Sequence, residues 1–395
     1  MTTTAATPSA PPAWLNALIE RFDADAFDAP RGAERIRLTI KDRGDWDVLV
    51  DGAEARLVAP DGEPGAVLIA DEGTWKSIAR DVRGGMEAYS RGRLQVRRNL
   101  HLGVGLLAAT GAGTGPGRLR FASVRTEVGR MSFVEAGVGE PVVALHGLGG
   151  TKASFLPTLA ALAQSYRVVA IDLPGFGESA KPIAAPYDAP WFGRSVLGVL
   201  DALEIDRAHL VGNSMGGRVA LEIGLMDAHR VGALVLLCPA LAWLRERRWA
   251  GIVRILRPEL GLLQVAPRPV VEGVVRRLVP GATDGWTAAG IDEFLRSYLT
   301  PRGRAAFYAS ARNIYLDEPQ GDDGFWTRLG GLEPDSLFVW GRQDRLVPLG
   351  FRRHVERTVD QASHLVLDCG HVPQVEAPAE THRAMRAFLA ERPLD

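Results

Sequence analysis

Leu210-Val211-Gly212-Asn213-Ser214-Met215-Gly216-Gly217 is an apolar run that ends in a serine set between glycines and passes at once into a helix-like sequence. A serine that stands clear of a strand's end needs a tight, strained turn. The residues two before and two after it must be small, as Gly212 and Gly216 are, or their side chains would collide. The stretch reads as a strand, a nucleophile elbow and a helix. An ordinary strand-to-helix turn fits the same eight residues, so the flanking sequence has to decide between them.

Apolar runs and helical spacings alternate on both sides. Met131 to Ala136, Pro141 to Leu145 and Arg167 to Ile171 read as strands before the elbow, and Ala233 to Cys238 as one after it. These runs are nearly unbroken, as in strands buried on both faces of a parallel sheet, and a helical pattern from about Trp191 to Leu203 leads into the elbow strand. The expected fold is α/β, a doubly wound, mostly parallel sheet with active groups at the carboxyl ends of its strands. Between Pro239 and about Leu332 this rhythm stops. Trp243, Leu262, Val271, Phe294 and Tyr308 suggest several helices, expected to form a cap over the site at about 240–332. Arg245, Arg247, Arg248, Arg254 and Arg257 make its first part basic, which fits a solvated helix face or contact with an anionic substrate or lipid headgroup.

Five motifs follow in one order: His146-Gly147-Leu148-Gly149-Gly150, Asp172-Leu173-Pro174-Gly175-Phe176-Gly177, Gly212-Asn213-Ser214-Met215-Gly216, Trp340-Gly341-Arg342-Gln343-Asp344 and Cys369-Gly370-His371. Together they resemble the α/β-hydrolase superfamily over roughly Ser123 to Leu394, and the order serine, aspartate, histidine is the one that superfamily uses.

A serine hydroxyl needs a base within hydrogen-bond reach. Of the eight histidines, His371 follows the strand-like Leu365-Val366-Leu367 and sits on Gly370, at a strand's carboxyl end like the elbow itself. His146 is read as holding the loop before Leu148, and His209 as opening the elbow strand at its far end. His229, His354, His364 and His382 are expected to face solvent. The acid that orients the imidazole is assigned to Asp344, which follows the apolar strand Leu337-Phe338-Val339-Trp340 and matches the superfamily position, with Asp368 as the alternative. The resemblance further implies that the backbone N–H groups of Leu148 and Met215 form the oxyanion hole.

Relatives such as epoxide hydrolases and haloalkane dehalogenases carry aspartate at the elbow. Ser214 instead implies an acyl-enzyme route on a carboxylic ester or thioester with an apolar acyl group. The Gly-Asn-Ser-Met-Gly-Gly string and the Gly-Arg-x-Asp-Arg-x-Val-Pro loop also resemble the meta-cleavage-product hydrolases, which cleave a carbon–carbon bond beside a carbonyl. Their histidine is commonly followed by an aromatic residue, where this chain has Val372-Pro373. Acyl transfer to an acceptor other than water uses the same residues.

The first hundred residues follow another plan. Trp14, Leu15, Leu18, Ile19 and Phe22 recur at helical spacing, and Arg35 to Lys41 and Asp45 to Val50 alternate apolar with polar side chains. Ala53 to Ala59 and Gly65 to Ala70 complete an expected antiparallel sheet with one wet face. A helix around Trp75 to Val82, a strand Gly92 to Arg97 and an apolar helix from about Leu100 to Ala109 close the region. This order resembles the sterol carrier protein type 2 family over roughly Trp14 to Thr110, which implies a small α+β domain with an apolar tunnel for a lipid ligand. Without that ligand the same residues fill an ordinary core, and a non-enzymatic lipid carrier becomes the rival reading of the whole chain. The glycine-rich run 110–118 is expected to be a linker between domains at 13–109 and 119–395, with a disordered tail at 1–12.

At 395 residues two domains are expected, and a net charge of −1 gives no global attraction to nucleic acid. The two cysteines, Cys238 and Cys369, lie in apolar strand-like contexts, which fits a reduced cytoplasmic protein. No run of about 18 apolar residues reads as a transmembrane segment. No metal-ligand spacing or phosphate loop appears, so no cofactor is expected; the expected partner is a small ester or lipid-like substrate.

Overall fold

Why the strands form where they do is plain from their side chains. In β1 (Glu34–Ile40), Ile36, Leu38 and Ile40 point to one buried face and alternate with half-buried polar residues. The computed structural model describes residues 10–29, 32–80, 88–89, 92–111, 117–242, 254–255, 257–263, 267–278 and 285–394. Most of the expected tail and linker, and Arg245, Arg247 and Arg248 of the insertion, lie outside these. Among the described residues, no helix is long and apolar enough to cross a membrane.

Contacts divide the chain into two units: one of residues 1–122 with 282–296, the other of 123–281 with 297–395. In the first, β1 pairs antiparallel with β2 (Gly44–Asp51), and β2 pairs antiparallel with β3 (Glu54–Val58). On its other side β1 pairs parallel with β4 (Ala66–Ala70), and β4 pairs antiparallel with β5 (Gln95–Arg97), giving the order β3-β2-β1-β4-β5. The sheet is therefore mixed where an antiparallel one was expected. After β3 the chain crosses to the far edge of β1 before making β4, and such a crossover yields a parallel pair.

The helix Leu100–Ala109 is apolar on nearly every side and buried on nearly every side. It lies so close to the sheet that a β-carbon on Gly103 would stand 2.5 Å from Val96 Cγ1. Its amino end is held by acids from the stretch 282–296, which the sequence reading assigns to the cap. Glu293 Oε1 accepts the Leu100 N–H at 2.7 Å, a carboxylate at a helix amino terminus, where the helix dipole favours it. Beside it Asp292 accepts from Arg97 Nε at 2.7 Å and from the Arg98 N–H at 3.0 Å.

The second unit is built on an eight-stranded sheet of order β13-β12-β11-β10-β8-β9-β7-β6. Its strands are β6 (Arg120–Thr126), β7 (Gly129–Ala136), β8 (Pro141–Leu145), β9 (Arg167–Ile171), β10 (Ala208–Asn213), β11 (Val231–Leu237), β12 (Ser336–Gly341) and β13 (Ser363–Leu367). From β9 to β13 neighbours pair parallel, while β7 runs antiparallel to β9. The α/β fold expected from the sequence is present, with β6 added at one edge. The chain leaves β8 on one side to make β9 and returns on the other side as β10. That reversal opens a crevice at the carboxyl ends of β8 and β10, the usual place for a ligand in such sheets.

A buried ion pair fixes the loops at this rim. Lys152 Nζ meets Asp172 Oδ2 at 2.6 Å and Ser132 Oγ at 3.1 Å, with both charged side chains essentially inaccessible. Burial alone would raise the Asp172 carboxyl, but the Lys152 charge and its hydrogen bonds hold it well below the usual range. Removing either partner strands the other charge, which costs about 3–5 kcal/mol. Asp172 also accepts the Lys152 and Glu178 N–H groups, so one carboxylate ties the loop after β8 to the loop after β9.

His382 lies on the helix Pro378–Ala390 and is only 4% exposed, sharing a 3.0 Å hydrogen bond with Thr158 Oγ1. It does not face solvent as expected, because this helix packs its inner face on the helix Leu156–Leu162. Burial, helped by the Arg386 charge, pushes its imidazole down to about 4. The unfolded chain takes up that proton near 6.5, so between those values the unfolded state binds more protons. Stability present at neutral pH is then lost as pH falls from about 6.5 to about 4, by up to about 3 kcal/mol. His382→Gln is expected to flatten the decline of the urea midpoint across that window; an unchanged slope would contradict this.

Candidate active site

Backbone geometry makes the elbow. Ser214 sits between β10 and the helix Met215–Met226 with φ 53° and ψ −115°, a conformation most residues avoid. Three hydrogen bonds hold it there: its N–H donates to Leu237 O at 3.0 Å, and its carbonyl accepts from Arg218 N at 3.1 Å and Ala240 N at 2.9 Å. The flanking glycines are required by space. A β-carbon on Gly216 would lie 2.0 Å from Leu145 O, and one on Gly212 would lie 2.3 Å from Gly216 O. No L side chain fits at either position without opening the turn.

The helix behind the elbow is anchored by charge. Arg218 and Glu222 are buried on it; Arg218 Nη2 meets Asp317 at 2.7 Å and Glu222 at 3.2 Å, and Arg328 Nη1 meets Glu222 at 2.6 Å. The Arg218 guanidinium lies 4.0 Å over the ring of Phe325. These partners come from two separate segments, the stretch at Asp317 and the helix Phe325–Leu329, so the helix that follows Ser214 has little freedom to shift.

Asp344 follows β12 and is 8% exposed. Its Oδ1 accepts the N–H groups of Leu346 at 2.7 Å and Val347 at 2.9 Å, while its Oδ2 meets His371 Nδ1 at 2.7 Å. Burial would raise this carboxyl. The hydrogen bond and charge of His371, with the two backbone donors, outweigh it and keep Asp344 below the usual range, hence ionised. Its rival Asp368 is exposed and accepts from Gln343 Nε2 at 3.0 Å.

His371 is tied to the elbow through the residue before the serine: Asn213 Nδ2 donates to His371 O and to Leu237 O, each at 3.0 Å. The loop after β8 passes the same point, where a β-carbon on Gly147 would lie 3.2 Å from Ser214 Cβ. Leu148 follows on that loop. His146 holds it, with Nε2 accepting the Leu173 N–H at 2.9 Å and Nδ1 bonded to Gly147 O at 2.8 Å. Burial keeps this imidazole neutral by pushing its proton affinity down. Met215 is the first residue of its helix, so its N–H has no acceptor within the helix.

His364 is half-buried rather than solvent-facing, its Nδ1 accepting from Trp340 Nε1 at 3.0 Å. One neighbour of the Asp344–His371 pair carries no motif in the sequence. Cys238, directly after β11, has φ 46°, and its Sγ lies with the ligating atoms of Asp344 and His371 in a group whose members are all within 4.8 Å of one another. Burial first, then the Asp344 charge, pushes its thiol well above its ordinary range. Only its place at the end of an apolar strand, like that of Asp344 and His371, signalled this.

The sequence profile of the alpha/beta hydrolase fold family matches residues 140–378. The chain is 32% identical over 259 residues to the dihydrolipoyllysine-residue acetyltransferase component of an acetoin cleaving system from Pseudomonas putida, covering 64% of each chain. It is 31% identical over 268 residues to a 2-hydroxy-6-oxononadienedioate/2-hydroxy-6-oxononatrienedioate hydrolase from Burkholderia vietnamiensis, covering 66% of this chain and 91% of that one. Among solved structures, a membrane phospholipase A described as a bacterial virulence factor aligns with a TM-score of 0.57 and 27% identity, over 69% of this chain and 86% of that one.

Proposed function

As a member of the α/β-hydrolase family, the chain is, we propose, a serine hydrolase that cleaves a carboxylic ester or thioester with an apolar acyl group. The observation that carries this reading is the ionised Asp344 bonded to His371 Nδ1, with the His371 carbonyl held by Asn213, the residue before a serine in a strained turn. In this reading Asp344 keeps the His371 proton on Nδ1 and so leaves the Nε2 lone pair for the serine. As Ser214 Oγ attacks the carbonyl carbon, Nε2 takes its proton. The oxyanion that forms meets the Leu148 and Met215 N–H groups, each worth roughly 3 kcal/mol of transition-state stabilisation. His371 then protonates the leaving alcohol or thiol, and water releases the acyl group by the same steps in reverse.

A second reading, carbon–carbon bond cleavage beside a carbonyl, is favoured by the relative that acts on 2-hydroxy-6-oxononadienedioate. A panel of p-nitrophenyl esters, an acyl thioester and a 2-hydroxy-6-oxo-dienoate separates the two. Ester or thioester turnover is expected; activity on the dienoate alone would overturn the first reading. The amino-terminal unit we read, from its resemblance to sterol carrier protein type 2, as a holder of apolar ligand that serves this substrate class. The reduced cysteines fit a cytoplasmic setting.

A further inference from the structure

We propose that Cys238, Asp344 and His371 bind one soft divalent cation, zinc or cadmium, and that its binding shuts off the hydrolase. The three residues sit at the carboxyl ends of three adjacent strands, β11, β12 and β13, and offer one sulfur, one carboxylate oxygen and one ring nitrogen, all within 4.8 Å of one another. A thiolate, an imidazole and a carboxylate with an open fourth position form a donor set that zinc takes readily.

The frame that holds them is firm. The Cys238 N–H donates to Val339 O at 2.8 Å, and the Gln343 N–H, one residue before Asp344, donates to Cys369 O at 2.9 Å. Bonds of about 2.0–2.3 Å from the metal place donor atoms roughly 3.3–3.6 Å apart. The thiol must swing inward, and the 2.7 Å Asp344–His371 contact must open by less than an ångström. Both are side-chain rotations.

The step balances without redox chemistry. Cys238 gives up its thiol proton to solvent as the sulfur–metal bond forms. Asp344 binds as the carboxylate it already is. His371 ligates through Nδ1, so the proton on Nδ1 moves to Nε2 by way of solvent, and one proton is released per cation. Nε2 then carries a hydrogen toward Ser214 in place of a lone pair, and the base is lost. This shut-off rests on the roles proposed for Asp344 and His371; the binding itself does not.

The test is a cadmium titration of the full chain, following the ultraviolet thiolate-to-cadmium charge-transfer band alongside ester turnover. Band and inhibition are expected to rise together to one equivalent, and a chelator is expected to reverse both. Cys238→Ala should lose the band and need at least tenfold more cadmium for half-inhibition of its own basal turnover. Cys369→Ala, which removes the other buried thiol, should keep the band. No band in the natural protein, or one that survives in Cys238→Ala, overturns the site. A band that follows Cys238 while turnover stays unchanged overturns the shut-off. Absence of turnover on every ester strikes the proposed function, and the band still decides the site.

Discussion

Ser214→Ala is expected to lower ester turnover about a million-fold, the loss seen when a serine protease gives up its nucleophile. The size follows from what remains. Alanine keeps the backbone at φ 53° with no added strain and leaves the Asp344–His371 bond intact, so the fold and the proposed oxyanion donors persist. The covalent route alone disappears. Substrate should still bind, so KM is expected to change far less than kcat. A drop of only a few-fold would mean that another group does the chemistry.

Asp344→Asn is expected to cost about ten-thousand-fold in kcat, with little loss of folding stability. The reason lies in the two backbone donors already committed to Oδ1, from Leu346 and Val347. An asparagine has one carbonyl oxygen, and those N–H groups will claim it. Its NH2 is left facing His371 Nδ1, which must then accept rather than donate. The imidazole proton moves to Nε2, and the atom proposed as the base for Ser214 becomes a donor. Asp344→Ala, which forces no tautomer, should therefore retain as much activity as Asp344→Asn or more. Asparagine outperforming alanine by tenfold would contradict this argument.

Much of the second unit was legible because its signals are short-range. Gly212 and Gly216 announce the elbow because the bare backbone is needed at contacts of 2.0–2.3 Å. The apolar runs at β8, β9 and β11 announce strands covered on both faces. Less legible was whatever depends on partners distant in the chain. β6 alternates weakly because its outer positions are exposed, so Arg120–Thr126 carried no strong strand signal. The parallel pairing of β1 with β4 depends on which edge the chain returns to, and no local pattern encodes that. His382 looked like a surface residue because its neighbours on the helix Pro378–Ala390 are polar, yet its own position turns inward to Thr158. Cys238 had no motif, and its place beside Asp344 and His371 follows only once β11 and β12 are known to be adjacent. The acids Asp292 and Glu293, in a helical stretch read as cap, gave no hint that they hold Arg97 and the amino end of the helix Leu100–Ala109.

The proposed chemistry requires Ser214 to be an activated nucleophile. Treating the full chain with a fluorophosphonate and locating the adduct by peptide mass spectrometry tests this most directly. One adduct on the Ser214 hydroxyl is predicted, forming at least a hundred-fold more slowly when His371 is replaced by alanine. An unlabelled Ser214 in a folded protein, or labelling that His371→Ala leaves unchanged, would contradict it.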